Sequence, residues 1–411
     1  MGKSRASEHQ AFFLWLLEQI RLHEVDALIV AGDIFDSGAP PSYAREMYNQ
    51  FIVDIHNTGC QLIILAGNHD SVATLNESKA LLACLNTRVV SCVADECDDF
   101  VFPLKTRQGD TGAILCAIPF IRPRDVIVSQ AGQSGQEKQQ VMQQAIADYY
   151  QKLYQQATKL QKASKTASKQ AIPIIATGHL TTVGASTSDS VRDIYIGTLD
   201  AFPASAFPPA DYIALGHIHK PQKVAKSEHI RYSGSPLALS FDEAKTTKSV
   251  LLVDFKAGKF LQAKPLDVPK FQAMEVIKGD LKEIKKQLNA LPDLLGIEVD
   301  VDREDENQQR IWVEILVSSQ DYLNDLQTRI QTMLNGLPID VLRLRRERKK
   351  QPAMSQGKKK ETLAELSVMD VFERRLSENN WESKADKETR ERIRSSFQKL
   401  LGELDTGKAA P

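Results

Sequence analysis

Four times along this chain an apolar run of strand length ends at a glycine, and a residue able to hold a metal ion follows at once. Residues 28–31 lead into Gly32-Asp33-Ile34-Phe35-Asp36, and residues 62–66 into Gly67-Asn68-His69-Asp70. Residues 174–177 lead into Gly178-His179, and residues 212–215 into Gly216-His217-Ile218-His219. Continuous apolar runs suit strands covered on both faces, as in a mostly parallel sheet with helices packed against it. Such a sheet delivers the C-terminal ends of its strands to one edge, so residues far apart in sequence converge there. Glycine ahead of the polar residue lets the backbone come close without a Cβ in the way.

The first two thirds of the chain keep this rhythm. Phe12, Trp15, Leu16, Ile20 and Leu22 predict a helix over residues 8–23, and a second helix is expected through 43–55. Buried strands are expected at 27–31 and 61–66, then at 89–93, 113–118, 172–177, 212–215, 230–233, 249–255 and 260–266. Ala257-Gly258 has the look of a hairpin turn. Met142, Ile146, Tyr149, Leu153 and Ala157 give a long helix at 136–159 one apolar face, and the Ala/Ser/Lys-rich stretch 162–170 reads as a solvated loop. With strands parallel early and antiparallel late, the expectation for residues 1–268 is an α/β domain of two packed β-sheets flanked by helices.

Past Pro269 the pattern changes. A strand at 272–277 precedes a helix stripe of Leu281, Ile284, Leu288 and Leu291. Strands at 297–301 and 311–317, a helix with Leu323, Leu326, Ile330 and Met333, and a strand at 339–344 follow. That β-α-β-β-α-β order predicts a small α+β cap domain over 269–346 with its own core. A basic linker at 347–361 then leads to C-terminal helices in 362–411. The first has the stripe Leu363, Leu366, Met369, Phe372 and Leu376, with Thr362 and Glu365 at capping-box spacing. The second has Ile393, Phe397, Leu400 and Leu404.

A Gly-Asp or Gly-His pair past a strand is by itself an ordinary turn, and Asp36 ahead of Pro40 and Pro41 could be a helix N-cap. The segments taken together point to a dinuclear metal site. Carboxylate, amide oxygen and imidazole suit manganese, iron(II) or zinc better than calcium. His217 and His219 cannot share a helix face, but on an extended segment they would point the same way and could serve adjacent ions. His9 and His23, in or at the end of a helix, read as surface histidines.

The series G-D-x-x-D, G-N-H-D, G-H and G-H-x-H resembles the calcineurin-type metallophosphoesterase superfamily. Stretches 66–77, 119–125, 177–185, 192–202 and 212–219 are similar to one branch of it, the nuclease subunits that work in bacteria with a coiled-coil ATPase, and the likeness covers essentially the whole chain. The resemblance implies Asp33 bridging two divalent ions, Mn2+ first among them. It implies Asn68, His179 and His217 completing one ion, His219 serving the other, and His69 as proton donor to the leaving oxygen, oriented by Asp36. It further implies Arg122 and Arg124 against DNA phosphates, and Leu363, Leu366, Met369 and Phe372 docking on the ATPase in a heterotetramer. The activity implied is double-strand exonuclease and hairpin- or end-opening endonuclease in DNA end processing and repair. The family opens with a D-x-H-x-G motif, and the sequence as given starts past it. A catalytically inactive DNA-binding subunit is therefore the alternative expectation, and a phosphoesterase acting on nucleotides a further one.

Lys plus Arg number 52 and Asp plus Glu 53, so any basic surface for nucleic acid must be local. Five cysteines, Cys60, Cys84, Cys92, Cys97 and Cys116, make no C-x-x-C pair and suit free thiols of a reducing cytoplasm. No apolar run approaches the roughly 18 residues a membrane helix needs, so a soluble cytoplasmic protein is expected.

Overall fold

The computed structural model describes residues 3–94, 99–127, 134–168, 171–188, 191, 201–296, 310–318, 325–346, 372 and 390–397. They belong to two units, residues 1–347 and 348–411.

The start of the first unit alternates helix and strand as its apolar pattern demands. Helix α1 (Ala6–Leu22), strand β1 (Ala27–Ala31), helix α2 (Ser42–His56) and strand β2 (Gln61–Leu65) are followed by short helices α3 (Val72–Asn76) and α4 (Lys79–Ala83) and strand β3 (Thr87–Val90). The three strands form a parallel sheet in the order β1-β2-β3, with Leu62 beside both Leu28 and Thr87. A second, six-stranded sheet has the order β4-β5-β6-β7-β9-β8. Its members are β4 (Val101–Lys105), β5 (Thr111–Cys116), β6 (Ile174–His179), β7 (Tyr212–Gly216), β8 (Gln222–Lys223) and β9 (Ile230–Tyr232). Helices α5 (Pro123–Val126) and α6 (Gly135–Ser168) lie between β5 and β6 in the chain. Strands β10 (Ser249–Lys256) and β11 (Lys259–Asp267) form a hairpin through Ala257 and Gly258, both at positive φ, as a tight hairpin turn requires.

The pleat of β2 explains how the two sheets come together. Successive side chains of a strand point to opposite faces. Ile63 and Leu65 enter the core built from β4 to β9 and α6, while Leu62 and Ile64 enter the core under α1 and α2. One apolar strand is thus buried on both sides, each such side chain contributing roughly 1.5–3 kcal/mol. The expected α/β arrangement of packed sheets and covering helices is therefore present.

Several details differ from expectation. Strand β1 is only half-buried along its length, because it is an edge of its sheet among the described residues. Leu22 is exposed, and Leu17 takes its place in the buried stripe of α1. The later strands are not all antiparallel, since β7 pairs with β9 in parallel. Strand β4 contains Pro103, which conceals it in sequence, and it lies at a sheet edge, where a missing N–H is tolerated. Residues 162–168, expected as loop, continue α6. Without Gly or Pro, that Ala/Ser/Lys run has nothing to stop a helix.

The remainder of the first unit contains β12 (Met274–Gly279), α7 (Leu281–Leu295), β13 (Ile311–Val317), α8 (Leu326–Met333) and β14 (Ile339–Arg346). Its strands form a parallel sheet ordered β12-β13-β14. Helix α7 opens with a complete capping box between Asp280 and Glu283 and stops at Gly296, at φ 64°. Ile277, Ile284, Leu288, Val313, Ile315 and Ile330 give this region a core of its own. A second small cluster joins Met274 and Trp312 to Phe241 and Ala244. The strand expected at 297–301 and Leu323 lie outside the described residues.

In the second unit, the rings of Phe372 and Phe397 stack with centroids 3.8 Å apart and planes 5° from parallel. The linker from 347 onward, and Leu363, Leu366, Met369, Leu376, Leu400 and Leu404, lie outside the described residues. Among the described residues no helix is long and apolar enough to cross a membrane. Cys60, Cys84, Cys92 and Cys116 are free thiols, and Cys97 lies outside the described residues.

Candidate metal centre

The ends of β1, β2, β6 and β7 meet, and glycine makes the meeting possible. A Cβ on Gly32 would stand 2.2 Å from His179 Nδ1, and one on Gly216 would stand 1.8 Å from the main-chain oxygen of Ala31. Neither position has room for a side chain.

Asp33, His179 and His217 bring ligand-capable atoms within 4.8 Å of one another. Asp33 follows Gly32 at φ 55°, a left-handed conformation that Asp tolerates better than most residues. Its Oδ2 lies 3.3 Å from His179 Nε2, and its Oδ1 accepts the main-chain N–H of His69 at 3.2 Å. Burial works to raise the pKa of this carboxyl, but the hydrogen bond and charge of His179, helped by His69, outweigh it and hold the group at about 2. His179 is 2% exposed and donates from Nδ1 to the Ala31 carbonyl at 2.8 Å. That bond fixes the ring so that Nε2 faces Asp33 and, at 3.0 Å, Asn68 Oδ1. Burial opposes charge on His179, but Asp33 prevails and raises its pKa. His217, at φ 88°, sits with Nδ1 3.2 Å from the same Asn68 oxygen. Burial, reinforced by the charge of His179, drives its pKa down to about 3, so the ring is neutral.

Whether a divalent cation suits these residues can be judged from their own geometry. His217 Nε2 is buried and has no hydrogen-bond partner among the described residues. An orphaned buried polar atom carries a cost that a ligand relieves. His179 already donates its other nitrogen to a backbone carbonyl, the outer-shell bond typical of ligating histidines. Imidazoles, an ionised carboxylate and an amide oxygen form a donor set for a divalent transition ion. The residues fit.

The neighbouring expectations fall out unevenly. His69 Nδ1 lies 2.9 Å from the main-chain oxygen of Asp36 and 3.6 Å from its carboxylate, which is 93% exposed. Both the carbonyl and the carboxylate of Asp36 thus lie beside the histidine ring, the carbonyl nearer. His217 and His219 do not continue an extended strand together, because β7 ends at Gly216 and His217 turns to positive φ. His219 is outside the close triad and has Nδ1 3.2 Å from Glu243 Oε1. Arg122, at the start of α5, donates to the Asp70 carbonyl at 3.4 Å. Arg124 is solvent-exposed on the short helix α5, 3.7 Å from Asp125.

Sequence reasoning assigned no role to Asp70. It is 5% exposed, and its carboxylate accepts the main-chain N–H groups of Ile34, Phe35 and Gly67 at 3.1, 3.0 and 2.8 Å. It thereby ties the Asp33 turn to the Asn68 turn. Its place at the end of G-N-H-D was the only available signal. Glu243 and Lys248, which lie beside His219, gave none, being 24 and 29 residues away in the chain.

Comparison with known proteins agrees with this geometry. Residues 7–221 match the calcineurin-like phosphoesterase family, and residues 270–380 match the family described as the type 5 capsule protein repressor C-terminal domain. The chain is 50% identical over 402 residues to the SbcD subunit of the SbcCD nuclease of Escherichia coli K12, covering 98% of this chain and 95% of that one. The protein of the same name from Rhodobacter capsulatus is 32% identical over 306 residues, covering 71% of this chain and 73% of the relative. For that from Bacillus subtilis the identity is 29% over 262 residues, covering 63% of each. The chain belongs to the calcineurin-like metallophosphoesterases, in the family of SbcD nuclease subunits.

Proposed function

We propose that this chain is the phosphodiester-hydrolysing subunit of a two-component DNA nuclease, acting with Mn2+ on double-stranded ends and hairpins. The observation that carries the reading is the convergence of Asp33, Asn68, His179 and His217, with His217 Nε2 left unsatisfied. Those residues would hold one ion, and His219 would serve a second. When bound, such ions supply Lewis acidity: water becomes nucleophilic near neutral pH, and charge on the phosphate oxygens is neutralised.

The protein's own groups do the rest. Asp33 stays ionised, and the bonds around His179 keep its Nε2 aimed at the centre. His69, donating from Nδ1 to the Asp36 carbonyl, would in its doubly protonated form pass the Nε2 proton to the departing sugar oxygen and be left as the neutral Nδ1–H ring. Arg122 and Arg124, beside the Asn68 turn and on α5, would grip phosphates without reading sequence. Phe372, with the stripe that precedes it, would dock on a coiled-coil ATPase of the SbcC type in a heterotetramer.

The test is hydrolysis of linear duplex and hairpin DNA with added Mn2+, alongside direct measurement of Mn2+ binding. His69→Ala should keep the ion and lose about 10²–10⁴-fold in rate. His217→Ala should lose the ion together with activity. Equal loss of Mn2+ in both variants would make His69 a ligand. DNA binding by the unaltered protein without any hydrolysis would favour the inactive-subunit reading.

A further inference from the structure

Behind His219 lies a buried charged cluster that the proposed reaction does not use. Glu243 and Lys248 have side chains only 6% and 7% exposed, with Lys248 Nζ 2.7 Å from Glu243 Oε2. The same Nζ lies 2.8 Å from Ser235 Oγ and 3.2 Å from the His219 carbonyl. Glu243 Oε2 also accepts the main-chain N–H of Leu239 at 3.0 Å. The other oxygen, Oε1, accepts the Ser188 hydroxyl at 2.6 Å and lies 3.2 Å from His219 Nδ1. Glu243 closes a 3-10 turn that begins at Phe241, whose ring packs against Met274 and Trp312, so its backbone has a fixed base.

A buried ion pair of this kind is costly to build and is weak evidence for stability alone. Its chemical consequence is specific. An ionised carboxylate can only accept, so His219 must donate from Nδ1, and the lone pair of the neutral ring is confined to Nε2. We propose that Glu243, held in charge and place by Lys248, is a positioning residue that locks His219 in the Nδ1–H tautomer and so commits its Nε2 to a divalent ion. This rests on the metallophosphoesterase reading of the site.

Glu243→Gln gives a sharp test, because Lys248 Nζ and Leu239 N both donate to one side of residue 243. Neither can accept, whereas the Ser188 hydroxyl on the other side can turn to do so; the Gln oxygen therefore stands where Oε2 stood, and the amide NH2 turns towards Ser188 and His219 Nδ1. Donor would face donor, and the ring should switch to Nε2–H. Histidine-selective 15N labelling of the full-length, metal-free protein reports each ring's tautomer directly. His219 should be Nδ1–H in the unaltered protein and Nε2–H in the variant. Mn2+ affinity measured by calorimetry should fall about 10–100-fold, as for other outer-shell partners. If Lys248 without its counter-charge prevents folding, Glu243→Gln with Lys248→Met removes both charges while Leu239 N keeps the amide in the same orientation, and the same switch is expected. An unaltered protein with Nε2–H at His219, or a variant that keeps Nδ1–H, overturns the proposal. So does a tautomer switch with Mn2+ affinity unchanged. Loss of Mn2+ on His217→Ala is measured in parallel: if it occurs while Glu243→Gln changes nothing, the positioning role falls and the metal-site reading stands. If His217→Ala binds Mn2+ as the unaltered protein does, the site reading falls and takes this proposal with it.

Discussion

The turn after β1 and the turn after β7 both follow an apolar strand that ends at a glycine, and each has a buried acid from elsewhere in the chain packed against it. The acids act differently. Asp70 spends its oxygens on three main-chain N–H groups, so it shapes backbone. Glu243 spends one oxygen on a lysine and a main-chain N–H and the other on side chains, so it shapes the orientation of a ring. The comparison separates two requirements of a metal centre: the ligand-bearing backbone must reach the right place, and the ligand atom must present a lone pair. A defect in the first should appear as lost stability, and a defect in the second as altered binding by a folded protein.

The severest test of the backbone half is Gly216→Ala. The added Cβ meets the Ala31 carbonyl, which belongs to a strand and cannot swing aside. The expected cost is about 3 kcal/mol, the upper end of ordinary overpacking, together with lost Mn2+ binding. Denaturant unfolding and calorimetry measure both, and a stable variant that binds normally would break the comparison. Asp70→Asn should come next, at about 1–3 kcal/mol. One amide cannot present acceptors on both sides, so either Phe35 N–H or the Ile34 and Gly67 pair faces a donor. A midpoint unchanged in denaturant would show that Asp70 is not what holds the turns together. Asp36→Ala sharpens the contrast from the other side. Because His69 is held by the carbonyl of residue 36, removing the exposed carboxylate should shift stability by no more than about 0.5 kcal/mol. Hydrolysis should fall far less than with His69→Ala, and a comparable fall would return the orienting role to the carboxylate.

The legible part of this protein was the part governed by local pattern. Apolar runs ending in glycine placed β1, β2, β6 and β7 and the residues beyond them, because burial on both faces and close approach each leave a mark on composition. The stripe at Met142, Ile146, Tyr149, Leu153 and Ala157 is buried in α6 as its spacing requires. What stayed hidden depends on contact at a distance. Pro103 disguised a strand that only its edge position makes permissible. Glu243 and Lys248 look like any acid and base until the fold brings them beneath His219. Side chain and backbone of Asp36 could not be told apart in sequence, since both belong to one letter.

The glycines at 32 and 216 also bear on how such a chain can change over generations. At each, the smallest possible addition collides with a neighbour that is itself part of the centre or of its supporting strand. Drift at these two positions is closed even to alanine, whereas exposed Asp36 or Arg124 can vary with little structural penalty. The wall of the protein that faces the candidate metal centre is therefore constrained by want of space as much as by chemistry.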